Sequence, residues 1–315
     1  MKIALVGELC EDIIMHCPVS HEVLGTKIWA EDITIAAGGS ASYACQALDK
    51  MGIATKIFSS LGDDESAERI LRQLMLLESV DCSTISIKKH TKTTKSMIVC
   101  NGSEKDFIGC SPMIEIEIPH IEELLGIDLL YIAGYALYPE LWNERFLRLL
   151  TEARQRGILI VLDCQLLPIA DIELSKLCRL PQILSVVDHA LFAKKEMLSL
   201  LGTIEPEQAI KQLSGLGYDK TAIFKNGALG CTVAERGVLT NIPVYPVEVY
   251  DAVGSGDIFG AAYCYGIGRK WHATDCAKFA TVYAAKSLGK FEKTKKYPHV
   301  QEVIDLVKRQ WRKNK

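Results

Sequence analysis

This sequence predicts an α/β protein: a mostly parallel central sheet covered by helices on both faces, with a smaller sheet inserted beside it. Three observations lead there. Continuous apolar runs such as "KIALVG", "IDLLYIAG" and "ILIVLDC" suit strands buried on both faces. Such runs alternate with helical patterns over most of the 315 residues, as parallel strands joined by crossovers do. Two stretches, about 13–37 and 84–110, break the alternation with short strand patterns and could pair with each other.

In order along the chain, "KIALVG" is the first buried strand. "TKIWAEDITIA" alternates imperfectly at Ile28, Ala30, Ile33 and Ile35, as a half-exposed strand would. "SASYACQALDKMG" has helical spacing and ends in Gly52, a residue suited to the left-handed turn after a helix. "ATKIFSSLG" is a strand, and "DDESAERILRQLMLLE" is an amphipathic helix with acidic residues in its first turn. "STISIKK", "TKSMIVC" and "KDFIG" are short strands of the second departure, with Asn101-Gly102 as a hairpin turn. The alternation then resumes with "IDLLYIAG", the helix in "PELWNERFLRLLTEARQRG", "ILIVLDC", "HALFA" and "KTAIFKNG". Three helices close the chain: one after Gly256, one across "DCAKFATVYAAKSLG" and one across "VQEVIDLVKRQW". The main unit is then 1–12, 38–83 and 111–315. The small sheet, 13–37 and 84–110, is placed to act as a lid over a parallel-sheet crevice.

The totals narrow the function classes. Apolar residues are 49% and charged residues 24%, as in a globular protein with a large core. A net charge of −3 and a pI near 6.2 carry no footprint of nucleic-acid binding. The basic segments "KFEKTKK" and "KRQWRKNK" are read as solvated surface. No apolar stretch nears the ~20 residues a membrane span needs, and "MKIALVGELCEDII" is a first strand rather than a signal peptide. Eleven cysteines, odd in number and without C-x-x-C spacing, argue against a disulfide framework and for a reducing, cytoplasmic setting.

The stretch of most chemical interest is "DAVGSGDIFG", Asp251 to Gly260. Gly254 and Gly256 allow a tight turn and close backbone approach. A helix beginning near Ser255 leaves unpaired N–H groups that, with the helix dipole, attract an anion. Asp257 stands in that first turn, where it could take a proton from an attacking hydroxyl beside a held phosphoryl group. From these residues alone, a carboxylate that merely caps an ordinary helix is an equally open reading.

The stretch resembles the D-T-x-G-A-G-D-x-F signature of the ribokinase-like (pfkB-type) carbohydrate kinases. Asp251, Gly254, Gly256, Asp257 and Phe259 match, while Ala252 and Ser255 depart from it. The resemblance extends over nearly the whole chain, through "VGELCED", "AAGGSASYACQALDKMG", "SSLGDD" and "IFKNGALGC" in the family's order. It implies a ribokinase-like three-layer α/β/α fold with a β-sheet lid, and ATP-dependent phosphorylation of a sugar or nucleoside hydroxyl. It implies Asp257 as catalytic base and the amides of Gly254, Ser255 and Gly256 as the anion hole. Asp12, Gly38, Gly39 and Tyr43 fall on the acceptor side; Lys225, Gly227, Gly230 and Thr281 on the nucleotide side; Glu196 near Mg²⁺. A monovalent cation beside the anion hole and a homodimer through the lid also belong to what the family brings. Residue by residue, plainer readings stay open: Asp12 as a polar strand end, Gly38 and Gly39 as a helix-start turn, Asp63 and Asp64 as helix caps.

Several positions depart from the family pattern. Ala193 stands where the N-x-x-E motif has Asn, with Glu196 retained and Lys194 read as solvated. Lys225 replaces a common Thr, as a phosphate partner or as a surface strand-end lysine. Tyr43 replaces an Asn, which favours stacking over hydroxyl recognition. "NGSEKDF" lacks the Arg expected after the hairpin glycine. Two rivals follow: a non-catalytic nucleotide- or sugar-binding regulator or scaffold, and a dinucleotide-dependent oxidoreductase. The second is disfavoured because no G-x-G-x-x-G follows the first strand.

Overall fold

The computed structural model describes residues 1–17, 29–101, 104–110, 114–166, 179–289 and 296–312. The main sheet contains β1 (Lys2–Gly7), β4 (Ala54–Gly62), β5 (Val80–Asp81), β6 (Ile85–Lys88), β9 (Leu129–Ala133), β10 (Leu159–Asp163), β11 (His189–Ala193), β12 (Thr221–Lys225), β13 (Cys231–Glu235) and β14 (Val238–Ile242). Its order is β14-β13-β12-β11-β10-β9-β1-β4-β5, with β6 also on β4. Every pairing from β5 to β12 is parallel; β13 and β14 add an antiparallel edge.

Strand periodicity explains the three layers. In β1, Ile3 and Leu5 face one core and Ala4 and Val6 the other; β9, β10 and β12 divide in the same way. The first core packs against α1 (Ser40–Lys50), α2 (Glu65–Leu74), α7 (Ser255–Gly268), α8 (Ala273–Lys286) and α9 (Val300–Arg312). The second packs against α3 (Glu144–Gln155), α4 (Leu180–Val186), α5 (Lys194–Leu201) and α6 (Pro206–Gly215). Helix α7 is apolar nearly all round and lies inside the first core. Its Gly260 and Gly266 leave room for the Tyr131 hydroxyl and for Cys276 of α8, so strand and helix approach closely. Asp64 caps α2 by accepting from the Ala67 N–H at 3.1 Å, so its helix-capping reading is the one the fold uses.

The smaller sheet has the order β3-β2-β7-β8, from β2 (Cys10–His16), β3 (Asp32–Gly38), β7 (Lys95–Asn101) and β8 (Glu104–Cys110). The two sequence departures therefore do pair with each other. One strand is corrected. "STISIKK", expected in this sheet, supplies β6, which runs parallel to β4 from Ser59↔Ile85 to Gly62↔Lys88. β4 is nine residues long and takes β5 along its first half and β6 along its last. The small sheet also begins earlier than expected, at Cys10, with only Glu8 and Leu9 between it and β1. The turn between β7 and β8, residues 102–103, lies outside the described residues, as do most of "TKIW" and "KFEKTKK". Among the described residues, no helix is long and apolar enough to cross a membrane.

Candidate active site

The main sheet changes direction of progress at β1: β4 lies on one side and β9 to β12 on the other. Ligands in open parallel sheets bind outside the carboxyl ends of the strands at such a point. Here those ends deliver Glu8, Gln165, Ala193 and Lys225, and α7 begins beside them.

The α7 start leaves backbone donors unpaired beside a tight glycine turn. Gly254 has φ 73°, and a Cβ there would fall 2.4 Å from Cγ of Tyr43, so glycine is required twice over. Among the described residues, the N–H groups of Gly254, Gly256 and Asp257 make no hydrogen bond; that of Ser255 makes a long one, 3.3 Å to the Ala252 carbonyl. Gly256 thus joins Gly254 and Asp257 as the freest donors, and Ser255 is partly engaged in its own turn.

Asp257 stands part-buried in the first turn, and Gln165 Nε2 donates to its Oδ1 at 2.7 Å. Burial, and next the charge of Asp163, push its carboxyl up to about 7, while Lys225, Lys105 and the Gln165 bond pull against them. Asp163, wholly buried at the end of β10, accepts from Lys225 Nζ with both oxygens at 2.7 Å. Burial pulls the Lys225 ammonium down, but Asp163 and Glu196 outweigh it and hold its pKa up. Glu196 accepts from the Ala193 N–H at 2.6 Å, closing the start of α5. Burial pushes Glu196 up to about 7, with Lys225 opposing. Lys194 is exposed, as its solvated reading has it.

Two cavities meet at this point. The larger, about 960 Å³, is lined by Glu8, Asp12, Gly39, Tyr43 and Asp257 together with inner-face residues of the small sheet. Register explains that face: Asp12, Ser96 and Gly109 form one cross-strand row, and Phe107 lies two residues along. Asp12 is 3% exposed and its carboxylate is already engaged, accepting from the Tyr43 hydroxyl at 2.5 Å and the Cys10 thiol at 3.1 Å. Burial raises its pKa. The Tyr43 ring lies under Gly254, so Tyr43 links Asp12 to the α7 turn. Gly38 is needed because a Cβ would meet the Asp12 carboxyl at 2.1 Å; Gly39, at φ 86°, would meet the Glu8 carbonyl at 2.5 Å. Gly39 lines the cavity and Gly38 does not.

The second cavity, about 480 Å³, is lined by Lys225, Gly227, Gly230, Thr281, Phe259 and an apolar wall that includes Val244, Tyr245 and Val249. Thr281 donates to the Ala277 carbonyl at 2.8 Å within its helix. Gly230 needs φ 92° and passes the Ile242 carbonyl, where a Cβ would lie at 2.1 Å. Lys105, Ser255 and Gly256 line both cavities, so the α7 start is their shared wall.

Four residues of the site were not singled out from the sequence. Lys105 of β8 donates to the Ala252 carbonyl at 2.8 Å, and burial lowers its pKa. It lies in "NGSEKDF", three residues after the hairpin glycine Gly102. Asp163 and Gln165 sit in "VLDCQ", where a charged residue closing an apolar strand was the available signal. Glu8 makes no side-chain hydrogen bond among the described residues, and burial, then Asp12 and Asp257, push it up to about 7.

Comparison with known proteins supplies the context. The model of the pfkB family carbohydrate kinases matches residues 1–299. A 5-dehydro-2-deoxygluconokinase of Mesomycoplasma hyopneumoniae (strain 232) is 23% identical over 238 residues, 72% of this chain and 70% of that one. Among solved structures, a candidate ribokinase from Agrobacterium tumefaciens superposes with TM-score 0.85 at 21% identity, covering 100% of this chain and 99% of the other. A candidate ribokinase II from E. coli, in complex with ATP and Mg²⁺, gives TM-score 0.77 at 18% identity over 98% and 99%. A Burkholderia thailandensis nucleoside kinase with inosine gives 0.76 at 16% identity over 98% of each chain. At these identities the structural likenesses establish the fold.

Proposed function

Because the chain belongs to the pfkB family of carbohydrate kinases, we propose that it transfers the γ-phosphoryl group of ATP to a hydroxyl of a sugar or nucleoside. The observation that carries this reading is the shared wall: a helix start with free amides, and Asp257 in it, between a cavity into which several carboxylates project and a second one with an apolar wall. ATP takes the apolar cavity, with its phosphates reaching Gly254–Gly256 past Lys225. The acceptor takes the larger cavity beneath the small sheet, which acts as the lid.

Asp257, held by Gln165, accepts the proton of the attacking hydroxyl. Its carboxyl at about 7 suits it to hold and release a proton near neutral pH. The α7 amides bear the charge spread over the transferring group, and Lys105 and Lys225 supply positive charge on either side. Mg²⁺ fits as an ion carried by the nucleotide rather than one caged by protein. Among the described residues, no group of three or more His, Cys, Asp or Glu is arranged to hold a metal, and Lys225 already occupies both oxygens of Asp163. Glu196, which accepts from the Ala193 N–H at the start of α5, would face the ion's water shell with its carboxylate. The ion would neutralise phosphate charge.

The acceptor wall carries Glu8, Asp12, Glu115, Glu140 and Asp257 against Lys95 and Lys105. These carboxyl and ammonium groups offer hydrogen-bond partners for an acceptor rich in hydroxyls. The outer face of the small sheet carries a cross-strand row of Ile35, Ile13, Met97 and Ile108, with Ile35 52% and Ile108 61% exposed. That row supports a homodimer through the lid. The test is transfer of labelled phosphate from MgATP to a panel of neutral sugars, nucleosides, sugar acids and sugar phosphates. Turnover is expected with at least one sugar or nucleoside of the panel. Nucleotide binding without transfer to any acceptor would replace the kinase reading with that of a non-catalytic binding protein.

A further inference from the structure

The turn that leads into α7, residues 251–254, is gripped by two lysines from distant parts of the chain. Lys296 Nζ donates to Asp251 Oδ2 at 3.1 Å and to the Val253 carbonyl at 3.0 Å. It also lies 5.2 Å from the centroid of the Tyr43 ring, whose atoms abut Gly254. On the other flank Lys105 Nζ donates to the Ala252 carbonyl at 2.8 Å. Asp251 uses its remaining oxygen to accept from the Val253 N–H at 2.7 Å. Two consecutive carbonyls, a carboxylate and an aromatic face are therefore all turned towards ammonium groups, directly behind the amides of Gly254 and Gly256.

A carboxylate oxygen, main-chain carbonyl oxygens and a ring face are also what a bare monovalent cation would take. The ammonium of Lys296 already takes the Asp251 oxygen, the Val253 carbonyl and the ring face, and Lys105 takes the Ala252 carbonyl, so the set does not fit a free ion as well. We infer that Lys296 is a tethered cation: a positioning residue that holds the turn in the shape that presents its amides, in place of a dissociable monovalent ion. This rests on the kinase reading for what the amides bind, but not for the cation itself. An ammonium and a potassium ion both neutralise Asp251 and both draw the Val253 carbonyl inward. A covalently attached one is present at all salt compositions and costs no binding equilibrium. It also adds a fixed positive charge behind the anion site, which favours phosphate there.

The experiment compares the wild type with Lys296→Ala in potassium chloride and in choline chloride, each at about 100 mM so that screening is matched. Turnover and melting temperature are both read. The wild type is expected to give the same values in the two salts, within about twofold in turnover. K296A is expected to lose about tenfold or more in choline, a loss on the scale of a weakened oxyanion donor. Potassium should restore a large part of it and raise the melting temperature above that in choline. Activation of the wild type by potassium overturns the inference, as does a K296A loss that responds equally to both salts, which marks a purely structural lysine. An unaffected K296A overturns it too. If the wild type phosphorylates no acceptor, the kinase reading fails, while the potassium-specific melting shift of K296A still decides the tethered cation. The wild-type arm needs no variant to fold.

Discussion

Replacing Asp257 with Asn removes the proposed base while leaving a side chain of the same shape for Gln165 to meet. The wild-type carboxyl is held up to about 7 by burial and by Asp163, against a usual value of 3.8. About a tenth of it is then ionised near pH 6 and about nine-tenths near pH 8, so kcat/KM for the acceptor should climb about tenfold across that interval. In D257N the level should drop by about 10²–10⁴ and that acidic limb should vanish. Stability gives a second reading with a defined sign. The folded-state value lies above the unfolded one, so the native state keeps this proton longer. The resulting stabilisation is full below about pH 3.8 and is lost as pH rises through about 7. Initial-rate kinetics with saturating MgATP, and thermal melts over the same pH range, measure both. A wild-type profile that is flat from about pH 6 to 8, or a variant that keeps the limb, would refute the assignment of Asp257 as base. Glu8 and Glu196 are also pushed up to about 7. D257N is therefore the comparison that separates the base from its neighbours.

Two further outcomes follow from the same geometry. Tyr43→Phe keeps the ring under Gly254 but removes the donor to the buried Asp12, at about 1–3 kcal/mol. The KM for the acceptor should rise while that for ATP holds, and an equal rise in both would show that Tyr43 acts through the whole turn. Lys225→Met leaves the wholly buried Asp163 carboxylate unpaired, at about 3–5 kcal/mol in urea unfolding, and adding Asp163→Asn should recover most of that. Additive losses in the double variant would mean that the pair is not coupled.

Part of this site was legible in the chain because its physics is local. The glycines of "DAVGSGDIFG" announce a turn and a helix start, and Asp257 in the next position needs no distant partner to be noticed. The alternation of apolar runs with helical spacing is likewise local, and it is enough to give a parallel sheet with helices on both faces. The second sheet was legible as two departures from that alternation, but its membership was not. β6 has the pattern of any short strand, and only the spare edge of the long β4 decides where it pairs. The roles of Tyr43 and Lys225 were undecidable in sequence for the same reason. An aromatic or a lysine at a strand or helix end takes its meaning from what packs opposite it: Gly254 and Asp12 for one, Asp163 for the other.

What the sequence determined by itself was therefore the layered fold, the α7 turn and the carboxylate in it, since each follows from spacing along a few turns or strands. What only the tertiary structure decided was the charge around that turn. Lys105, Asp163, Lys225, Glu196 and Lys296 come from five separate segments, and an ammonium or carboxylate draws its worth from burial and from its partner's distance. Neither quantity exists until the strands are brought side by side.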